Sequence, residues 1–155
     1  MPDGLQQYPT KNIVLILSKL PEFLRESMMR SRLEELAAMD SKTREEFIDS
    51  ILIGLILAEE DALRKVIRTW LIVVSRLESN KVVTIFTACM NIYKKNPTLC
   101  ERDYFTILFE VYQSLDENQR TILRDCLVEP IFNQHLSKQI LRTIPEKVRL
   151  ELVLR

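Results

Sequence analysis

The chain has 155 residues, 46% of them hydrophobic and 28% charged, with 22 basic and 22 acidic side chains and a single histidine. That balance excludes a disordered polymer, and a net charge of zero removes any bulk attraction to nucleic acid or to an anionic membrane. With two glycines in the whole chain, the Gly-rich phosphate loops of P-loop and Rossmann proteins are excluded as well.

The sequence predicts an all-α fold. It reads as a flexible N-terminal arm over residues 1–10 and a single compact domain over 11–155, built of about eight or nine helices. Joints of two to five residues imply antiparallel neighbours, and an irregular helical-repeat arrangement is one form this can take. Pro9 marks the end of the arm, and a first helix covers 11–19 with Ile13, Val14, Ile16, Leu17 and Leu20 as its apolar set. A second helix runs from Pro21 to Ala38. Phe23, Leu24, Met28, Leu33, Leu36 and Ala37 supply its apolar stripe, and Arg25, Glu26, Arg30, Glu34 and Glu35 its wet face.

Thr43 and Glu46 have capping-box spacing and open a third helix, 43–58, that is apolar nearly all round from Phe47 to Ala58 and is expected at the centre of the fold. Gly54 inside it costs about 1 kcal/mol relative to Ala. A fourth helix, 61–78, buries Leu63, Val66, Ile67, Trp70, Leu71, Val74 and Leu77. Ser79 and Asn80 are placed to cap a fifth, 81–95, and Asn96–Pro97 breaks it. The sixth, 99–114, follows the Thr98–Glu101 capping pair and carries Tyr104, Phe105, Phe109 and Tyr112. Asp116, with Gln119 at the reciprocal position, caps a seventh. Pro130 is expected to start an eighth, 130–143, and Thr143, Pro145 and Glu146 a last one ending at Arg155. Trp70, Phe86, Phe105 and Phe109 are the expected core anchors.

One phrase occurs near each end: Ile16 to Glu26 reads ILSKLPEFLRE and Ile140 to Leu150 reads ILRTIPEKVRL. Proline in a first turn forfeits an N–H that would lack a partner anyway, and the following glutamate suits the positive end of the helix. The phrase therefore encodes a helix end, a tight corner and a helix start. Weaker echoes begin at Met39 and Leu115, each with an apolar residue before a cap and an arginine five positions later. The steps between them are unequal, so no fixed period exists. The phrase resembles the Leu-Pro-Glu corner of short helical-repeat domains, such as those in the flagellar switch protein FliG and the amino-terminal domain of MgtE-type magnesium transporters. The resemblance covers a short stretch at each end and carries over no functional residue; the reading adopted is a recurrent helix joint without common descent.

No catalytic, cofactor or metal motif stands out. His135 is the single histidine, and no CxxC, HxxxH or ExxH spacing occurs. Pairing of His135 with Cys89, Cys100 or Cys126 would be needed for a Cys–His nucleophile. The odd, widely spaced cysteines read as reduced thiols of a cytoplasmic protein. No apolar run approaches the roughly 20 residues of a membrane span, and the first residues do not form a secretory signal. The paired carboxylates, such as Glu59, Glu60 and Asp61, suit helix starts. Residues 1–60 carry an acidic excess and the remainder a basic one, a contrast small enough to be compositional.

The candidate contact face is basic: Arg64, Lys65, Arg68 and Arg76, joined by Lys138, Arg142 and Arg149. The expected function is a non-enzymatic protein–protein interaction or scaffold module of helical-array type, without cofactor, acting on an unidentified protein partner, with homo-oligomerisation open and no membrane role. The alternatives are nucleic-acid association through the basic helix faces, which needs those arginines together and unneutralised, or an apolar ligand within the bundle.

Overall fold

A computed structural model describes residues 9–96 and 104–133. Among them are seven helices and no strand: α1 Pro9–Lys19, α2 Glu22–Ala38, α3 Ser41–Ile56, α4 Glu60–Val74, α5 Ser79–Lys95, α6 Tyr104–Ser114 and α7 Glu117–Asn133. The all-α expectation holds. The Thr98–Glu101 capping pair and the last expected helix lie outside the described residues. At two prolines the boundaries move. Pro9 and Thr10 already belong to α1, ahead of the expected start at residue 11. At Pro130 no new helix begins; α7 runs through it as far as Asn133, the last described residue.

The joints explain where helices start. Pro21 precedes α2, and its carbonyl accepts the N–H groups of Leu24 and Arg25 at 3.1 and 3.0 Å. α3 begins earlier than expected because Asp40, not Thr43, is its cap. An Asp40 carboxylate oxygen accepts the Thr43 N–H at 2.8 Å, and the other accepts the Thr43 hydroxyl at 3.0 Å. At the start of α7 the expected reciprocal box is present. Asp116 accepts the Gln119 N–H at 2.8 Å, and the Gln119 side chain accepts the Asp116 N–H at 3.3 Å. Ser79 and Asn80, expected as caps, lie inside α5, whose N-cap Glu78 makes no side-chain capping bond.

The recurrent arginine has one job at all three described corners that carry it. Arg25 Nη1 donates to the carbonyls of Leu17 and Leu20 at 3.3 and 2.9 Å. Arg44 donates to the carbonyls of Leu36, Ala37 and Met39. Arg120 donates to those of Gln113 and Leu115. In each case the guanidinium reaches back over the corner to the end of the preceding helix. There it bonds carbonyls that lack the i+4 donor of a continuing helix and meets the negative end of the helix dipole. The fourth such corner, with Arg149, lies outside the described residues.

Packing follows a rule that short joints alone did not suggest. Successive helices meet at their joints and share little side-by-side packing. The extensive contacts join second and third neighbours: α1 with α3 and α4, α2 with α4 and α5, α3 with α5, α4 with α6, and α5 with α7. The end of α5 lies at the start of α3 (Lys95 to Glu45, 2.9 Å), and the exit of α4 lies at the start of α2 (Arg76 to Glu26, 3.1 Å). Antiparallel pairing therefore belongs to second neighbours, correcting the expectation that it joins consecutive helices.

One apolar cluster extends from Val14 to Cys126. Its densest part is α4 and α5, where Leu63, Val66, Ile67, Leu71, Val74, Val82, Ile85 and Phe86 are buried. Trp70 is half-buried and meets Phe86 edge-on at 5.6 Å, a favoured aromatic geometry. Phe109 is buried as expected. The expected central helix is not central. α3 buries Ile48 and Leu52 but exposes Phe47 and Ile53, with Leu57 exposed just beyond. It lies between α1 and α5 and so is covered on part of its circumference only.

α2 departs further. Its buried residues are Arg25, Met29, Leu33 and Leu36, while Phe23, Leu24 and Met28 are exposed. Arg25, read as solvent-facing, is 9% exposed. Its Nε donates at 2.7 Å to Thr69 of α4, and Thr69 in turn donates to the Lys65 carbonyl at 3.1 Å. Turning α2 to seat Arg25 on these acceptors brings Met29 into the core and puts Leu24 and Met28 outside.

Two predictions follow from these bonds. Thr69→Val keeps the side-chain shape but strands the buried Arg25 Nε, so stability should fall by about 1–3 kcal/mol; Arg44→Ala, at a wetter corner, should cost about 1 kcal/mol. Urea titrations read both. The Thr43 backbone N–H holds the Asp40 carboxyl below its ordinary value. Its contribution is thus fully present above the unfolded-state pKa and is lost as pH falls through the lower folded value. Asp40→Asn should flatten the acid limb of a Tm-against-pH curve.

Candidate interaction surface

The helices expose their large apolar side chains unevenly. Among the described residues nine such side chains are exposed: Ile13, Leu15, Ile16, Phe23, Leu24, Met28, Phe47, Ile53 and Leu57. All belong to α1, α2, α3 or the residue after α3. Among the side chains described over residues 60–96 and 106–126, no large apolar one is exposed. Phe23 is 70% exposed and Ile16 57%. On α2, Leu24 and Met28 are one helical turn apart and form a ridge. On α3, Ile53 and Leu57 do the same, on the side opposite the buried Ile48 and Leu52.

This surface arises from helix phase. Each of the first three helices carries more apolar residues than one buried stripe can hold. Once Val14, Met29, Leu33, Leu36, Ile48 and Leu52 turn inward, the second apolar row must face outward. α4 instead has a single wide apolar face with a charged remainder, so it exposes no large apolar side chain.

The basic candidates divide. Arg64 bonds Glu110 of α6 at 2.8 Å and Glu60 at 3.4 Å, and the Glu110 bond raises its already high pKa. Arg68 donates to Ser114 of α6 at 3.4 Å. Arg76 turns the other way and bonds Glu26 of α2 at 3.1 Å. Lys65 is exposed on α4. The structure thus brings Arg64 and Arg68 together on the α6 side, separates Arg76 from them, and pairs Arg64 and Arg76 with carboxylates. Lys138, Arg142 and Arg149 lie outside the described residues, as do Cys100 and His135.

Further ion pairs tie the helices. Lys81 bonds Glu34 of α2 at 2.6 Å, which raises the Lys81 pKa. Lys95 bonds Glu45 and lowers the carboxylate's pKa. Such exposed pairs contribute little stability each, but they show which flanks of α2 and α3 are already engaged.

Among the described residues no group of three His, Cys, Asp or Glu side chains is placed to hold a metal ion, and no helix is long and apolar enough to cross a membrane. No family model, no curated protein and no solved structure matches the chain.

Cys89 and Cys126 are buried and free. Burial pushes the Cys89 thiol up to about 12, the opposite of an activated nucleophile. Burial raises Cys126 as well, against an opposing bond with Ser79. Iodoacetamide at neutral pH should therefore leave Cys89 unlabelled in the native protein and label it in urea, as read by peptide mass mapping.

Proposed function

We propose that this chain is a non-enzymatic protein–protein interaction module of irregular helical-array type, which offers the apolar side chains of its first three helices to another protein. The observation that carries this reading is that, among the described side chains, all nine exposed large apolar ones fall within residues 13–57. Apolar ridges at one-turn spacing, such as Ile53 and Leu57, suit a helix or extended segment laid across them. Second-neighbour packing with corner-locking arginines supports the array description, since each helix is held by others nearby in sequence. The widely spaced cysteines support a cytoplasmic setting.

The reading is tested by affinity purification of the tagged chain from its native host at low salt, with and without nuclease, beside an Ile53→Glu/Leu57→Glu variant. The expected result is a protein partner that survives nuclease and falls at least tenfold with the variant, whose circular dichroism is unchanged. Recovery of nucleic acid, with co-purifying proteins lost on nuclease treatment, would overturn it in favour of the basic faces of α4.

A further inference from the structure

The outward row of α3 is apolar in its second half and acidic at both ends. Glu46, Ser50, Ile53 and Leu57 follow one another at steps of four, three and four residues, so they share one face of the helix. All four are exposed, and Asp49, one turn before Ile53, is half-buried. Just past the row stand Glu59 and Asp61, both exposed, at the start of α4. Their neighbours Glu45 and Glu60 are engaged within the molecule, by Lys95 and Arg64. Glu46, Asp49, Glu59 and Asp61 enter no ion pair among the described residues, and Glu59 makes no side-chain capping bond either. Lys42, one turn before Glu46, is the one cation on this row among the described residues.

These charges decide what can cover the row. Glu46 and Leu57 are about 17 Å apart along the helix at 1.5 Å per residue, so an occupant must bring apolar side chains to Ile53 and Leu57 and cations to both ends of a three-turn ridge. Like charges set against each other across an interface are costly, which disfavours nucleic acid and anionic lipid here. A second copy of α3 fares no better: turned end for end it sets Glu46 and Asp49 against Glu59 and Asp61, and laid parallel it sets each carboxylate against itself. A helix with apolar residues at one-turn spacing and Lys or Arg beyond them meets both needs. The long stems of those cations can lie on apolar surface while their charged ends reach the carboxylates.

We propose that the outward row of α3 seats a basic amphipathic helix of a protein partner. The inference rests on reading the first helices as an interaction surface and adds the chemistry of what binds there. Ile53 and Leu57 supply the apolar contact. Glu46 and Asp49 at one end, and Glu59 and Asp61 at the other, receive the partner's cations and fix its register. Charges at such a rim act chiefly on the rate of encounter and on selectivity, so binding weakens as salt rises.

The test is a display selection on the full chain at low salt, using random peptides of about 16 residues, long enough to span the row as a helix. The Ile53→Glu/Leu57→Glu variant serves for counter-selection. The expected winners carry apolar residues at one-turn spacing flanked by Lys or Arg, and gain helical circular dichroism on binding. A Glu46→Lys/Glu59→Lys chain, with unchanged circular dichroism of its own, should bind the best peptide about five- to tenfold more weakly. A copy of that peptide with Glu in place of its basic residues should recover affinity for this variant. Winners that are acidic or uncharged, or a best peptide indifferent to Glu46→Lys/Glu59→Lys, would overturn the proposal while leaving Ile53 and Leu57 as a contact surface. So would self-association of the wild-type chain that Ile53→Glu/Leu57→Glu abolishes, since a second copy would then hold the row. A selection in which no peptide distinguishes wild type from the Ile53→Glu/Leu57→Glu variant would remove the interaction-surface reading of α3 as well.

Discussion

The buried guanidinium of Arg25 is the constraint around which the first half of the molecule is arranged. It has no carboxylate among its bonded partners. Its charge is met by the Leu17 and Leu20 carbonyls at the end of α1 and by the Thr69 hydroxyl of α4. A charge withdrawn from water needs such partners in good geometry. Three helices must therefore hold fixed relative positions: α1 to aim its last carbonyls, α4 to present Thr69, and α2 to carry the side chain between them. The phase of α2 follows, and with it the burial of Met29 and the exposure of Leu24 and Met28.

The same chemistry, in wetter form, recurs at the corners before α3 and α7. Arg44 and Arg120 each close the end of one helix while standing on the next. This fixes the corner itself, which two-residue joints alone would leave free to hinge. Successive helices share little packing, so the angle at each joint depends on these bonds and on contacts with second neighbours. A helix array held in this way keeps its shape without burying every apolar face, and the first three helices retain a row that the core does not use.

Much of this architecture is legible in the sequence, for reasons that can be located. The cap at Asp116 with Gln119, the apolar face of α4, and the apolar-cap-arginine spacing at Leu20, Met39 and Leu115 are local signals, and the structure realises each. What the arginine does at that spacing is not local, because its acceptors belong to the previous helix. α2 shows the limit most clearly. It has two competing apolar rows, one through Leu24 and Met28 and another through Met29, Leu33 and Leu36. Periodicity cannot choose between them, and a rule that keeps arginine wet chooses wrongly. α3 misleads for a related reason: an all-round apolar helix is expected at the centre, yet its place between α1 and α5 covers only part of it. The basic candidates on α4 were visible as residues, but Glu110 and Glu26, which pair with Arg64 and Arg76, come from distant helices that no spacing rule connects.

The polar links between helices have a further consequence. Arg25 reaches a residue 44 positions away, Arg64 and Arg68 reach 46, Lys81 reaches 47, and Arg76 and Lys95 reach 50. Each spans about the same length of chain, that of a helix and its next-but-one or third neighbour. Loops of similar length close at similar entropic cost, so no single long closure dominates the search for the native state. During synthesis α2 can dock on α4 once that helix has emerged, before α7 exists.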